Sequence, residues 1–339
     1  MNYEVTIGVP VYNAEKFIRQ ALESALEQTF ESLELLVLDD GGTDSSMDIV
    51  REYQQNHPRG KDIRIVRQPH NMGIGAARNR MVDEAQGRYI YFMDADDTIE
   101  PTTIELLYHA AYQYHAELVY GSHERIEAFD GKECYTYYRY PSMQFLKDDA
   151  FASYVYRKYA GIQAMIWNIL IDIDVYRRNH LRHKLVNYWE DFSFTIDLPT
   201  YVTRVVLLPD VTYHYYCRYG SLSQFGQRDC IRKDEILQTM QAITQIKMDS
   251  ERIKEKPYFS QRMLKVMKTC FYVCCTILRN REKIEPGFDN KELRDFMRYP
   301  VQWSAVRSFS HLPLFAMGKL SPSMSVCLMY VLGKLKKIV

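Results

Sequence analysis

Three aspartates within four residues directly follow an apolar run, and their spacing suits the binding of a divalent cation. One residue separates Asp94 from Asp96, and Asp97 follows at once. Carboxylate oxygens are the ligands that Mg²⁺ and Mn²⁺ prefer, and these ions often share them with a diphosphate. A solvated turn ahead of the next helix is the alternative. Because the acids come straight after a buried strand, both interpretations stay open.

Two other clusters could contact the same ligand. Asp39 and Asp40 also follow an apolar run. A carboxylate there can accept hydrogen bonds from a base or a ribose, or it can cap a turn, as we expect for Asp44. Residues 71–80 combine small residues, which allow close backbone approach, with Arg78, whose guanidinium suits a phosphate. The small residues also suit a helix packed tightly on a sheet.

A fourth cluster places two acids behind two aromatic residues, at Tyr188, Trp189, Glu190 and Asp191. An acid in an aromatic-lined cleft can act as a general base, because burial and neighbouring charges tune its pKa. Aromatic faces can also stack on sugar rings. The alternative is a helix start, where the helix dipole favours acidic residues.

The elements that must position these residues alternate between strand and helix over the first 120 residues. We predict buried strands at 5–9, 35–38, 63–67, 89–93 and 118–120. Helices are expected between them, the first with Asn13 as its N-cap. Apolar strands joined by helices indicate a parallel sheet covered on both faces. Such sheets bind ligands at the carboxyl ends of their strands. The acids at 39–44 and those at 94–97 should therefore share one site.

The pattern changes after about Glu124. Residues 125–160 are aromatic-rich, and we expect them to be irregular. Further strands are predicted at 166–170 and 205–208, with a short helix at 191–198. Beyond Asp229 the chain should be helical, with helices at about 230–248, 258–280, 290–297 and 322–336.

Composition is that of a folded globular protein, with 47% hydrophobic and 25% charged residues among 339. These values exclude a disordered chain, a collagen-like repeat and a low-complexity array. The 43 basic and 43 acidic residues balance, but residues 232–339 carry 20 basic residues against 10 acidic ones. No acidic residue follows Asp295. A basic end on an acidic body favours an anionic partner that touches only that end.

The last segment, 312–339, contains an apolar run followed by Lys334, Lys336 and Lys337. The run is too short to span a bilayer. It suits an amphipathic helix that lies on a membrane surface with its lysines at anionic headgroups. A core helix of a C-terminal bundle is the alternative, and both stay open.

Other features exclude whole classes of protein. No uncharged apolar run reaches about 18 residues, so no transmembrane helix is expected. The start lacks the basic stretch of a secretory signal. Seven cysteines without disulfide spacing indicate reduced thiols and a cytoplasmic protein. The glycines at 73 and 75 lack the rest of the dinucleotide-binding fingerprint, and no lysine-bearing phosphate loop is present. We expect no nucleic-acid partner.

Four motifs, in order and at the usual spacing, resemble those of the family 2 glycosyltransferases of the GT-A fold. They are TIGVPVYN at 6–13, VLDDGGTD at 37–44, NMGIGAARN at 71–79 and GRYIYFMDADD at 87–97. The resemblance covers about residues 3–225. It implies a Rossmann-like α/β domain over 1–230, with a mixed, mainly parallel sheet and helices on both faces. Residues 231–339 fall outside the resemblance, and their own charge and helical pattern predict a basic helical region that either associates with a membrane or packs as a bundle.

The resemblance also implies a role for each matching residue. Asp191 matches the catalytic base of inverting members, and Asp96, with Asp94, matches the carboxylates that bind Mg²⁺ or Mn²⁺. The residues matched to donor binding are Pro10, Tyr12, Asn13, Asp39, Asp40, Arg78, Asp94, Ala95, Arg218 and Ser221. Trp189 and Glu190 are candidates for the acceptor side.

The function implied is inverting transfer of a sugar from a nucleotide sugar to a hydroxyl of a glycan or lipid-linked glycan. UDP is the favoured nucleotide, because Asp39 can accept the uracil N3–H, and a thymine nucleotide is the alternative because thymine offers the same donor. Surface polysaccharide synthesis at the inner face of the membrane would suit the basic tail. A sugar nucleotidyltransferase is one alternative, although the loop at 10–13 lacks the glycines and lysine that such enzymes usually have. A non-catalytic nucleotide-sugar-binding protein of the same fold is another.

Overall fold

The computed structural model describes residues 3–129, 132–158, 165–186, 190–217, 229–306 and 308–338. The chain divides into two compact units. Unit 1 comprises Met1–Phe151, Gly161–Leu185 and Glu190–Tyr219, and unit 2 comprises Ala152–Ala160, Val186–Trp189 and Gly220–Val339.

Unit 1 is built on one ten-stranded sheet. Its strands are β1 (Tyr3–Val11), β2 (Leu33–Asp39), β3 (Ile63–Arg67), β4 (Gly87–Phe92), β5 (Thr98–Ile99), β6 (Leu118–Phe129), β7 (Lys132–Tyr138), β8 (Met143–Phe145), β9 (Ile169–Asp172) and β10 (Val205–Cys217). The path through the sheet is β3-β2-β1-β4-β9-β6-β10-β5, with β7 paired to β6 and β8 to β10. The first four strands are parallel, β6 is parallel to β10, and β9 is antiparallel to both its neighbours. The expected mixed, mainly parallel sheet is confirmed.

The helices within the first 120 residues follow the predicted alternation, and they are α1 (Ile18–Leu26), α2 (Ser46–Asn56), α3 (Ile74–Glu84) and α4 (Thr103–Tyr114). Later along the chain come α5 (Ala150–Lys158), most of which belongs to unit 2, α6 (Ile173–Arg178) and α7 (Glu190–Thr195). Every residue of β2 is buried, as expected for a parallel strand covered on both faces. On α1 the apolar residues at helical spacing, such as Ile18, Leu22 and Leu26, are buried. Each leucine or isoleucine buried in this way contributes about 1.5–3 kcal/mol.

Two expectations were wrong. Asn13 does not cap α1, which begins at Ile18 after Phe17. Asn13 instead has a positive φ of 51° and accepts the backbone N–H of Thr43, so it joins two loops. Residues 125–129 and 132–138 are not irregular, because β6 and β7 pair antiparallel there, and β8 and α5 lie further along the same stretch. Both strands of the β6–β7 pair carry polar and aromatic residues, so the sequence there lacks the alternation of apolar and polar residues that predicts a strand.

Unit 2 is helical, as expected for the C-terminal region. Its helices are α8 (Lys233–Asp249), α9 (Phe259–Arg279), α10 (Asn290–Phe296), α11 (Leu312–Met317) and α12 (Pro322–Leu335), and a two-residue strand at Ile231–Arg232 pairs with one at Ile284–Glu285. The α9 helix lies at the core, with Cys270, Cys274 and Cys275 buried on it. Burial raises the pKa of the Cys270 thiol to about 11, so it stays protonated and acts as a packing residue. No helix in the described ranges is both long and apolar enough to cross a membrane.

Candidate active site

The polar clusters predicted from the sequence meet at one edge of the unit 1 sheet. Strand β1 pairs with β2 on one side and with β4 on the other. Val11 lies opposite Asp39, and Met93 donates its N–H to the carbonyl of Gly8 at 3.1 Å. Because these strands are parallel, the segments 10–13, 39–44 and 94–97 all leave the sheet at the same edge.

A small cavity of about 150 Å³ lies at the ends of β1, β2 and β3. It is lined by polar residues that include Asn13, Asp39, Asp44 and Arg67. The Asp39 carboxylate is buried, accepts the N–H of Gly41 at 3.0 Å and lies 3.3 Å from Nε of Arg67. The cavity therefore offers a fixed acceptor at the place where the sequence predicted a nucleoside base.

The other residues predicted around the nucleoside differ in exposure. Pro10 is partly buried within β1, and the side chain of Tyr12 is 51% exposed beyond it. The buried Asp40 carboxylate accepts the side-chain amide of Gln68 and the N–H of Met72 through Oδ1. Asp40 thus holds the 68–72 loop in place, and its expected contact with the donor stays a prediction.

Arg78 is the centre of the site. It lies on α3, is almost fully buried, and its Nη1 contacts both Glu190 and Asp191 on α7. Its Nη2 lies 3.6 Å from Oδ1 of Asp94 at the end of β4. One guanidinium therefore gathers three carboxylates that are up to 113 positions away in the sequence. The structure brings Asp94 and Asp191 together around this arginine.

Burial changes the acidity of two of these carboxylates. It raises the pKa of Asp191 to about 7, and the positive charge of Arg78 opposes part of that rise. Burial likewise raises the pKa of Asp94 to about 7, with the negative charges of Asp96 and Asp191 adding to the rise. A carboxylate with a pKa near 7 is suited to taking up a proton at neutral pH.

The aspartates after β4 have different surroundings. Asp97 is buried and accepts the hydroxyl of Tyr213 and the N–H of Tyr216, so it anchors this turn to β10. Asp96 is partly buried, as is Asp94, while Ala95 between them is buried. Asp94 and Asp96 thus supply oxygen donors at an edge where carboxylates outnumber cations.

These residues fit a divalent cation that a ligand helps to hold. Oxygen donors and excess negative charge are what Mg²⁺ and Mn²⁺ require. Within the described ranges, no three His, Cys, Asp or Glu side chains are grouped so as to hold a metal ion by themselves. The oxygens of a bound diphosphate would therefore have to complete the coordination.

Sequence reasoning missed a buried histidine next to this cluster. His183 lies between α6 and α7, and its Nδ1 is 2.5 Å from Oε1 of Glu190. The one feature of the sequence that relates to His183 is the motif at 71–79. Asn79 of that motif exchanges two hydrogen bonds with the backbone of His183, and a Cβ on Gly75 would come within 2.3 Å of the Lys184 carbonyl. A lone histidine in a loop gives no pattern of its own.

Three predicted residues, Trp189, Arg218 and Ser221, lie outside the described residues. Glu190 is described, and both of its carboxylate oxygens are engaged, one by His183 and the other by Arg78.

The chain is similar in sequence to known proteins over about half to two thirds of its length. A family model described as "Glycosyl transferase family 2" matches residues 6–173. The "Glycosyltransferase GlyA" of Streptococcus pneumoniae serotype 4 is 29% identical over 228 residues, which are 65% of this chain and 32% of GlyA. The chain spans about a third to two thirds of the length of such curated relatives.

Solved structures share the fold at low identity. S. aureus TarS 1–349 superposes with a TM-score of 0.66 at 16% identity, over 96% of this chain and 89% of that one. The same protein has been solved with UDP-GlcNAc. A mannosyltransferase from Pyrobaculum calidifontis, solved with GDP-Man and Mn²⁺, gives a TM-score of 0.52 at 15% identity, over 98% of this chain and 87% of that one.

Proposed function

We propose, from the premise that this chain belongs to glycosyl transferase family 2, that it transfers a sugar from a nucleotide sugar to a hydroxyl of a glycan, with inversion. The convergence of Asp94 and Asp191 on Arg78 carries this proposal. A carboxylate of raised pKa lies there beside a cationic group and a second carboxylate, for which we propose a role in metal binding. Such a site can hold a diphosphate and accept a proton at the same time.

We propose UDP as the nucleotide. The fixed carboxylate of Asp39 in the cavity at the ends of β1–β3 can accept the N3–H of uracil. The UDP-GlcNAc complex of TarS supports this choice through the shared fold. Nε of Arg78 is buried and has no hydrogen-bond partner among the residues that the structure describes. A phosphate oxygen of the donor would satisfy that N–H.

We propose that Asp96, with Asp94, binds Mg²⁺ or Mn²⁺ together with the donor. When bound, the cation would offset the negative charge that grows on the leaving nucleoside diphosphate. The Mn²⁺ in the mannosyltransferase of the same fold supports this cofactor. Arg78 would contribute a second positive charge at the same place.

Asp191 is the proposed base. Its carboxylate would take the proton of the acceptor hydroxyl while that oxygen attacks the anomeric carbon. The bond from this carbon to the diphosphate oxygen breaks as the new bond forms, and its electron pair leaves with the diphosphate. A single displacement inverts the anomeric centre. Because Arg78 contacts Asp191, the arginine can place the base next to the donor.

The acceptor side follows less directly from the site. We propose a glycan or lipid-linked glycan of surface polysaccharide synthesis as the acceptor, with Trp189 beside it. For Glu190 we propose a positioning role in place of the acceptor contact, because both of its oxygens are engaged inside the protein. Residues 1–230 would be the catalytic domain, and 231–339 a basic helical region.

A thermal-shift screen of nucleotide sugars tests the proposal. We expect a UDP-sugar with Mn²⁺ to raise the melting temperature, because a ligand at 100 times its Kd stabilises the folded state by about 2.7 kcal/mol. GDP- and CMP-sugars are the matched controls, and a TDP-sugar, whose thymine carries the same N3–H, is screened beside the UDP-sugar as a second possible donor. The best donor then enters a transfer assay with glycan acceptors. Release of pyrophosphate from a nucleoside triphosphate instead would identify a nucleotidyltransferase, and donor binding without turnover would identify a binding protein.

We also propose that unit 2 docks on the anionic cytoplasmic face of a membrane through one side of α12. Ser325, Met329 and Gly333 are the buried positions of this helix. Its other side exposes Met324 by 58% and Leu335 by 76%, with further exposed apolar residues between them. Lys334, Lys336 and Lys337 follow, and no acidic residue occurs after Asp295. An apolar stripe with lysines at its end complements anionic headgroups.

Replacing Met324, Val331 and Leu335 by glutamine should abolish sedimentation with vesicles that contain phosphatidylserine. Replacing the three lysines by glutamine should weaken it and remove its salt dependence, because each lysine contributes about 1 kcal/mol near such a surface. The matched control is Tyr112→Gln, which changes an exposed apolar residue on α4 of unit 1. Unchanged sedimentation of the triple glutamine variant would rule out this docking surface.

A further inference from the structure

A chain of buried hydrogen bonds leads from Tyr176 to Arg78. The Tyr176 hydroxyl lies 3.0 Å from Nε2 of His183, and Nδ1 of His183 lies 2.5 Å from Oε1 of Glu190. The other oxygen of Glu190 contacts Nη1 of Arg78, and the same Nη1 contacts Asp191. The side chains of His183 and Glu190 are almost fully buried. The proposed base is thus the last member of a five-residue chain.

The chemistry of the partners fixes where the proton of His183 lies. A carboxylate can only accept, so Nδ1 must carry the hydrogen that points to Glu190. Nε2 is then free to accept the hydroxyl hydrogen of Tyr176. Burial lowers the pKa of His183 well below its usual value, so the ring stays neutral. His183 can therefore orient Glu190 without adding a second positive charge beside Arg78.

His183 contacts two helices, α3 through its backbone and α7 through its ring. Its backbone N–H donates to Asn79 at 2.8 Å and its carbonyl accepts from Asn79 at 2.9 Å. Asn79 is next to Arg78 on α3, so these bonds join His183 to the helix that carries the arginine. Its ring stacks on Phe194 of α7, with the centroids 4.1 Å apart, and α7 also carries Glu190 and Asp191. His183 therefore links the two helices whose charged side chains must meet.

We propose that His183 is a positioning residue for sugar transfer, which orients Glu190 and, through Arg78, fixes the place of Asp191. This inference rests on the proposed function, because it needs Asp191 to be the base. Without the Nδ1–H, Glu190 would be free to turn. Arg78 would follow it, and Asp191 would lose the cation that holds it beside the donor.

Two isosteric variants separate this role from mere packing. Leucine and asparagine both branch at Cγ, but only asparagine places an N–H where Nδ1 of His183 is. We expect His183→Leu to lower kcat on the order of 10–100-fold, the usual cost of losing an outer-shell partner. His183→Asn should restore kcat towards the wild-type value. Both variants lose the ring that stacks on Phe194, so their melting temperatures should fall alike.

A second measurement does not depend on activity. In the full chain with ¹⁵N-labelled histidine and arginine, one imidazole should show a protonated Nδ1 and an unprotonated Nε2, and its signal should be absent in His183→Asn. The Nε–H signal of Arg78, assigned with Arg78→Lys, should shift in His183→Leu and stay in place in His183→Asn. Equal kcat in the two variants, or the opposite tautomer, would overturn the inference. A wild-type chain with these signals and no transferase activity would refute the proposed function alone.

Discussion

Asp191→Asn should lower kcat by about 10²–10⁴-fold, the range expected when a general base is removed. Asparagine keeps the size of the side chain and an oxygen that can face Arg78, but it cannot take a proton. Binding of the donor should change little, because the variant leaves Asp39, Asp94 and Asp96 intact. Steady-state kinetics with saturating donor, together with calorimetry of UDP binding, measure the two effects separately.

The pH profile provides an independent check on the same residue. Because burial raises the pKa of Asp191 to about 7, its basic form is lost as the pH falls through that value. The kcat/KM of the wild type should therefore fall about tenfold per pH unit below about pH 7. In Asp191→Asn the contribution of residue 191 to this limb should be lost, and the limb that remains should be the one set by Asp94, whose pKa burial also raises to about 7. Asp210→Asn, which changes an exposed acid of β10, is the control, and its profile should match the wild type. A variant at 191 with normal turnover would exclude this residue as the base.

Asp96→Asn should lower kcat on the order of 10²–10³-fold, as expected when stabilisation of a leaving group's charge is removed. Asparagine is a weaker ligand for a hard cation than a carboxylate is, so the Mn²⁺ concentration needed for half-maximal activity should rise. Chelation of the metal in the wild type should have the same effect, reversed by added Mn²⁺. Activity titrated with Mn²⁺ in both proteins measures this directly.

A different pattern would contradict the metal proposal. Full activity of the chelated wild type, together with normal turnover of Asp96→Asn, would mean that the protein acts without a divalent cation. Arg78 would then have to provide the positive charge opposite the diphosphate by itself. Asp210→Asn is again the suitable control, because it removes one carboxylate of unit 1 away from the strand ends.

The parallel half of the fold could be predicted from the sequence because its signals are local. Strands such as β2 are buried on both faces, so they appear as apolar runs, and the acids that follow them mark the edge where ligands bind. The hairpin of β6 and β7 could not be predicted in the same way. Its strands carry aromatic and polar residues, and they are held as strands by long-range pairing, β7 with β6 and β6 also with β9 and β10.

The site was predictable only in part, for a similar reason. The types and spacing of Asp94, Asp96 and Asp191 suggested the roles that are proposed for them, and the structure brings Asp94 and Asp191 together at Arg78. Two of the partners of Arg78, Glu190 and Asp191, are more than 100 positions away from it, and no local pattern encodes such contacts. Glu190 illustrates the difference. Its aromatic neighbours in the sequence suggested that it contacts the acceptor. In the structure both of its carboxylate oxygens are engaged inside the protein, by His183 and Arg78.

The reciprocal bonds between Asn79 and His183 have a consequence for protein engineering. Residues 6–173 match the family model, while His183, Glu190 and Asp191 lie beyond that match. A chimaera designed to accept a new glycan would exchange the later segment and keep the earlier one. To remain active, the exchanged segment should include residue 183 together with Glu190 and Asp191. The residue at 183 should also be able to form the two backbone hydrogen bonds with Asn79 of the retained segment. The junction for such a swap therefore belongs before α6, not between His183 and α7.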